Sequence, residues 1–376
     1  MTPNSETELA EAITAAQGPL HVQGGGTRDI GAPVAGQVLS TAGLSGVTLY
    51  EPGALTLVAK AGTPLTEIEA LLAAEGQRLP FEPMDHRPLL GTTGTPTIGG
   101  VVAANVSGPR RIQVGAARDF ALGVRFVDGT GQVLKNGGRV MKNVTGYDLV
   151  KLMAGSWGTL GVLSEVSLKV GAIPETEATL VARGLEDDAA VAALSAALGS
   201  PFDVSGAAHL DAGANGGQSE TRVRIEGLAG SVAYRAARLG EGVCKGWELV
   251  EAATSAALWL EVRDVGSLQT KPGNIWRFSL KPSDAPGMAE AIRRAHPEAA
   301  CVFDWGGGLL WVSGPEGADL RPKGLKGHAT LVRAARETRE RLAVFQPEST
   351  PIAAITAGLR HKFDPRGILN PGLMGG

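Results

Sequence analysis

The chain is short of the residues on which several kinds of site depend. It has only two cysteines, Cys244 and Cys301, and no CxxC pair. That argues against an iron–sulfur or zinc-thiolate site built from this chain alone, and points to a reduced, cytoplasmic setting. Aromatic residues make up 5%, the net charge is −3 and no long basic run occurs. A nucleic-acid binder would need a basic stripe, usually with stacking aromatics. No run of about 18 apolar residues is present, so no membrane-spanning helix is expected. The start, MTPNSETELAEA, is acidic and has no basic segment leading into an apolar one, so no signal peptide is expected. The six histidines, at 21, 86, 209, 296, 328 and 361, form neither HExxH nor HxH, and no metal is expected. The dipeptide Gly-Lys does not occur, which excludes a P-loop.

What is abundant is glycine, 53 residues of 376, about twice the usual share. Hydrophobic residues, at 43%, suffice for real cores, and the length suits two or three domains. Ser5-x-x-Glu8 is a capping box. "LHVQ" reads as a strand running into Gly24-Gly25-Gly26. Thr63 as N-cap and Pro64 at N1 open a helix through "LTEIEALLAAE" that stops at Gly76. "IGGVVAAN" reads as a short helix, and "FALGVRFVDGTGQVLKN" as a hairpin around Asp128-Gly129. "YDLVKLMAG" and "GVLSEVSLKV" read as a short helix and a strand. Beyond Pro174 the pattern becomes strand, helix, strand, strand, helix, strand. It continues through "IWRFSLKP", "MAEAIRRAH", "AACVFDW" and "GLLWVSG" with no exact internal repeat. The expected class is α+β, with helices on one face of an antiparallel sheet. The expected division is 1–173, 174–345, and a tail 346–376 that packs back on the first part.

Four glycine-rich stretches precede residue 162: Gly24–Gly26, Gly91–Gly100, Asn136–Gly138 and Gly155–Gly161. Successive backbone N–H groups after a strand make an anion nest. Glycine permits the backbone angles of a nest, and a residue without a Cβ at Gly25 is expected to let a phosphate approach. Thr27 adds a hydroxyl and Arg28 a positive charge. Thr95–Gly100 leads into a helix N-terminus, a second anion-attracting feature. Each stretch could also be an ordinary turn; several in one domain point to a phosphate-bearing ligand. Asp29–Val34 contain Pro33 and no helical period, so the first cluster is not a Rossmann fingerprint. Ala154-Gly-Ser156-Trp-Gly158 approaches the nucleophile elbow, but Ser156 follows an expected helix and precedes a strand, the reverse of what an elbow needs. His86, in "PMDHRP", reads as a solvated loop histidine, with a ligand-facing role as the alternative.

The stretches "HVQGGGTR", "VAKAGTPLTEIEALLAAEGQRLPFEP", "TIGGVVAANVSGPRR" through "GVLSEVSLKV", and the terminal "FDPRGILNPG" together resemble the FAD-binding domain of the vanillyl-alcohol-oxidase/p-cresol-methylhydroxylase (PCMH-type) flavoprotein superfamily. "VMKNVTGYDL" and "FDWGGG" are most similar to the FAD-binding subunits of bacterial glycolate oxidases. The resemblance implies a PCMH-type FAD domain, an α+β cap and a returning tail. It assigns Gln23, Gly24, Gly25, Gly26, Thr27 and Arg28 to the pyrophosphate loop. Thr92, Thr93, Gly94, Thr95, Thr97, Ile98, Gly99 and Gly100 match the loop running toward the flavin. Ser107, Gly108 and Gly115 match flavin-side loops. Gly158, Thr159, Leu160, Gly161 and Val162 match the segment meeting adenine and ribose, and Asn370 the tail near the ring. The loops lack the His or Cys that links flavin covalently, so FAD is expected to be non-covalent. The resemblance also implies a sister FAD-linked catalytic subunit, an iron–sulfur subunit, and membrane association only through such partners.

The Gly-Asp-x-Asn-x-His motif of related hydroxy-acid oxidases is missing. Arg110, Arg111, Lys142, Tyr147 and Asp304 are the candidates to face the flavin, each equally readable as an ordinary surface or phosphate-facing group. Two functions follow: a subunit that oxidises glycolate or a close 2-hydroxy acid, or a non-catalytic relay whose chemistry lies on a sister chain.

Overall fold

The computed structural model describes residues 1–139 and 146–375. The fold begins with the helix Glu6–Ala15, whose N-cap Ser5 accepts from Glu8 N–H, and two parallel strands follow, β1 (Leu20–Gln23) and β2 (Gln37–Ser40). An antiparallel sheet follows, built from β3 (Val47–Glu51), β4 (Thr56–Lys60), β6 (Ala121–Val127), β7 (Val133–Gly137) and β8 (Val162–Lys169), in the order β3-β4-β8-β6-β7. The two-residue strands β5 (Gln77–Arg78) and β9 (Gly171–Ala172) pair with each other. The hairpin expected around Asp128-Gly129 is β6–β7. Asp128 Oδ1 makes its turn by accepting from the backbone N–H groups of Thr130 (2.8 Å) and Gln132 (3.0 Å). The helix before β5 runs Leu65–Ala74, with Pro64 rather than Thr63 at the cap position. Pro64 is extended (ψ 135°), and the buried Thr63 instead donates its hydroxyl to Lys60 O at 2.7 Å.

The second sheet has eight antiparallel strands: β10 (Thr176–Arg183), β11 (Val204–Leu210), β12 (Glu220–Gly227), β13 (Glu248–Glu251), β14 (Asn274–Leu280), β15 (Cys301–Asp304), β16 (Leu309–Gly314) and β17 (Gly327–Arg333). Their order is β13-β10-β12-β11-β15-β16-β14-β17. Each half uses the same connectivity, and the halves meet edge to edge at β11–β15. The repeat that the residues do not display is therefore present in the topology. Its first half holds helices Asp187–Leu198 and Ala229–Glu241; its second holds Ala285–Ala295 and crosses from β16 to β17 by a loop.

The tail returns to the start of the chain. Leu20 N–H donates to Ile368 O (2.7 Å), and Asn370 N–H to Leu20 O (3.0 Å). Ile368 and Leu369 then complete a small core with Leu9, Ile13, Leu39 and Val162. Among the described residues no helix is long and apolar enough to cross a membrane.

Candidate functional site

Strand β1 delivers the chain into Gly24–Gly26, and the second glycine loop closes over it. A Cβ on Gly25 would fall 2.6 Å from the Thr95 carbonyl carbon and closer still to its oxygen; one on Gly94 would meet the Gly25 carbonyl in the same way. Gly25 is not at positive φ; its neighbour Gly26 is (φ 70°), with nothing within 4 Å of a Cβ built there. The missing side chain of Gly25 lets two backbones interlock, while the open position is Gly26. Thr92 adds to the clasp, its hydroxyl donating to Thr27 O at 3.1 Å.

Behind the clasp, Thr97 caps the short helix Ile98–Ala103, its Oγ1 accepting from Gly100 N–H at 3.4 Å. A third element arrives from the tail. Asn370 Oδ1 accepts from Val22 N–H (2.8 Å), and its Nδ2 donates to Trp157 O (2.8 Å). One side chain thereby ties β1 to the Gly155–Gly161 loop.

These elements border a cleft enclosing about 970 Å³ of atom-free space, part of it continuous with solvent. Of the expected residues, Gln23, Gly24, Gly25, Gly26, Thr27, Arg28, Thr97, Gly99, Gly100, Gly158, Gly161, Val162 and Asn370 line it. The others do not. Gly94 and Thr95 form the clasp, Thr93 is exposed, and Ile98 and Leu160 are buried in the core. Ser107 Oγ accepts from Ala117 N–H (2.9 Å), Gly108 O accepts from Trp305 Nε1 (3.1 Å), and Thr159 donates to Ser156 O (2.7 Å). Gly115, at φ 97°, closes the helical turn Arg111–Val114. Val22, Ala103, Ala104, Trp157 and Leu373 line the cleft unforeseen; as small or apolar residues they carry no motif.

The cleft is lined by Arg28 and by Asp29, the latter ion-paired with Arg339. Arg28 Nε donates to His86 Nδ1 at 3.3 Å, and its buried Nη2 has no partner among the described residues. Burial lowers the Arg28 guanidinium to about 10, still charged at neutral pH, with Asp85 opposing the shift. His86 is not a solvated loop residue. It is buried, and burial first and the Arg28 charge second push it down to about 3. A neutral imidazole can therefore accept from Arg28, leaving the rest of the guanidinium fork for an anion. A buried donor left unmatched costs about 1–3 kcal/mol, more when charged.

The five candidates for the flavin face separate. Arg110 is ion-paired with Glu226. Arg111 stacks over Trp305, its guanidinium carbon 4.4 Å from the ring centroid. Asp304 is buried, accepts from Trp305 N–H at 2.7 Å, and is raised to about 7, mainly by burial. Tyr147 is 87% exposed, and Lys142 lies outside the described residues. Ser156 is buried and donates to Met153 O at 2.9 Å, unlike an exposed nucleophile. Among the described residues, no group of three or more His, Cys, Asp or Glu could hold a metal ion.

Comparison with known proteins gives the family of the chain. A family described as "FAD binding domain" matches residues 1–137. Glycolate oxidase subunit GlcE of Escherichia coli (strain K12) is 36% identical over 362 residues, covering 95% of this chain and 92% of that protein. Glycolate oxidase subunit GlcD of Bacillus subtilis (strain 168) is 40% identical over 99 residues, 26% of this chain and 21% of that one. An alkyldihydroxyacetonephosphate synthase structure superposes with a TM-score of 0.70 at 16% identity, over 99% of this chain and 76% of that one, which supports the PCMH-type fold alone. By its match along nearly the whole of both chains, the protein belongs to the GlcE family of FAD-binding-domain flavoproteins.

Proposed function

We propose that this chain is the FAD-binding subunit of a glycolate oxidase and holds FAD non-covalently in the cleft. The observation that carries the reading is the buried, unpartnered Nη2 of Arg28 beside the glycine loop. FAD brings a diphosphate that meets this need, and the open side of Gly26 leaves room for it. In this reading Gln23–Arg28 hold the diphosphate, Thr97, Gly99 and Gly100 border it, and Gly158, Gly161, Val162 and Asn370 hold the remaining cofactor. Thr92, Thr93, Gly94, Thr95, Ile98, Ser107, Gly108, Gly115, Thr159 and Leu160 belong to the loops and elements that carry this site. Bound FAD supplies a hydride acceptor for a 2-hydroxy acid. No His stands in Gly24–Arg28 and no Cys in Thr95–Gly100, which supports non-covalent binding.

The division 1–173, 174–345 and 346–376 belongs to the same proposal, the first break falling between β9 and β10. So do glyoxylate as product, a cytoplasmic location, and assembly with a sister flavoprotein and an iron–sulfur subunit that mediate any membrane contact. A second reading, a relay or structural subunit, is favoured by one observation. Asp304 is the candidate proton acceptor here, and it is 3% exposed.

The test is the visible spectrum of the purified chain, before and after anaerobic glycolate. A flavin band near about 450 nm that bleaches supports the catalytic reading; one that persists supports the relay. Acid precipitation should leave the flavin in the supernatant. A colourless protein that FAD cannot reconstitute removes both readings. Arg28→Leu should purify with under about a tenth of the wild-type flavin, because the charge-assisted contact is lost. Normal flavin content in that variant would take Arg28 out of the site.

A further inference from the structure

Beyond Arg28 the positive charge continues. Arg277, on β14, has its guanidinium carbon 5.3 Å from the Trp305 ring centroid and 5.8 Å from that of Trp311. Arg111 lies over the same Trp305 ring from the other part of the fold. Other arginines have carboxylate partners: the half-buried Arg110 has Glu226 and Arg263 has Asp264, and the buried Arg224 has Glu82. Among the described residues, neither Arg111 nor Arg277 has an ion-pair partner. Burial first and the Arg111 charge second take Arg277 down to about 10; burial first and the Arg118 charge second lower Arg111, with Asp119 opposing. The nearby Asp304 is a weak counter-charge, being raised to about 7 and engaged by Trp305 N–H. His86 feels the charge of both Arg28 and Arg277, so this cluster adjoins the Arg28 end of the cleft.

The turn that presents Trp305 is strained. Trp305 itself has φ 53°, and Gly306 and Gly307 follow at 67° and 101°. A bulky residue in the left-handed region is held there only by its surroundings. Here Trp305 Nε1 donates to Gly108 O at 3.1 Å, two residues before Arg110 and three before Arg111. The strain thus fixes an indole plate between a loop of the first sheet's region and a strand of the second. Two cations held against it have cation–π support, with Asp119 and Asp304 acting on them only from a distance and not as ion-pair partners among the described residues.

We propose that Arg277, together with Arg111 at the Trp305 ring, binds the carboxylate of a small organic acid. A guanidinium presents a planar fork that matches two carboxylate oxygens. Naming a carboxylic acid as the anion rests on the glycolate reading above. The site lets a small acid link β14 to the turn bearing Arg111.

Calorimetric titration of the flavin-loaded protein with glycolate, oxalate, glycolamide and inorganic phosphate tests this. Saturable binding of glycolate and oxalate, with glycolamide at least tenfold weaker, is expected. Arg277→Leu and Arg111→Leu should each weaken both acids tenfold or more at wild-type flavin content, with Arg277→Lys recovering part of the loss. Equal binding of glycolamide, or undiminished binding in folded Arg277→Leu, would overturn the site. Should Arg277→Leu not fold, Arg111→Leu and the glycolamide contrast decide. Phosphate binding more tightly than either acid would overturn the carboxylate assignment. A colourless protein that binds glycolate through Arg277 removes the flavin reading and keeps this site; a yellow protein that binds neither acid does the reverse.

Discussion

Gly25→Ala should purify without flavin and with a lowered melting temperature, although alanine adds a single methyl group. The added Cβ would fall 2.6 Å from the Thr95 carbonyl carbon and closer to the oxygen. Both partners are rigid: one is the first side-chain atom and the other is backbone, so no rotamer change relieves the overlap. The two glycine loops must separate, and the lining formed by Gly24–Arg28 moves with them. Overpacking usually costs about 1–3 kcal/mol, and a backbone-to-backbone clash belongs at the upper end. Gly26→Ala distinguishes packing from conformation. It has open space around its Cβ but φ 70°, so it should cost only the left-handed penalty of about 1–2 kcal/mol. Gly18→Ala, with open space and no positive φ, should be neutral. Flavin content and melting temperature of the three variants check the order. Wild-type values for Gly25→Ala would show that the loops do not interlock.

The contrast between Gly25 and Gly26 also marks what could be read from the residues. A strand followed by three glycines announces a loop that comes close to something, since strand and turn signals are local. Which glycine approaches Thr95 and which faces the cleft depends on a loop about 70 residues away. The tail was legible for a similar reason: Asn370 sits in a recognisable Asn-Pro-Gly, and its contacts with Val22 and Trp157 agree with a tail that returns. His86 was misplaced because its environment is set by Arg28, 58 positions earlier. Arg277 bears no distinguishing mark inside "IWRFSLKP", where an alternating strand pattern accommodates a charged residue at any outward position. The strand connectivity shared by both halves of the eight-stranded sheet also escaped, because burial constrains hydrophobic periodicity without preserving particular residues.

Long-range charge is the least legible layer, and it carries the second large effect. Arg224→Ala should lower stability by about 3–5 kcal/mol, the usual consequence of removing one partner from a buried ionic cluster. Arg224, on β12, is 2% exposed and grips Glu82 with two bonds of 3.0 Å. It also lies 3.5 Å from Glu226 and stacks over Trp259 at 4.7 Å. Glu226 pairs in turn with Arg78 (2.8 Å) and Arg110. Glu82, Arg78 and Arg110 come from the first part of the chain, so these charges fasten the second sheet to it. Without Arg224, two carboxylates face each other with fewer counter-charges. Lysine cannot restore the paired bonds to Glu82, so Arg224→Lys should recover little. Acid should act on the same cluster. Burial alone would raise the Glu226 carboxyl, but Arg224, Arg110 and Arg78 outweigh it and hold the group at about 2. Its folded value lies below the ordinary 4.5, so its contribution is fully present above that pH and fades as pH falls toward about 2. Glu226→Gln should therefore be less stable than wild type at pH 7, with the difference shrinking steadily below pH about 4.5. Urea denaturation at a series of pH values measures this, and parallel wild-type and Glu226→Gln curves would show that Glu226 does not carry the acid sensitivity of the joint.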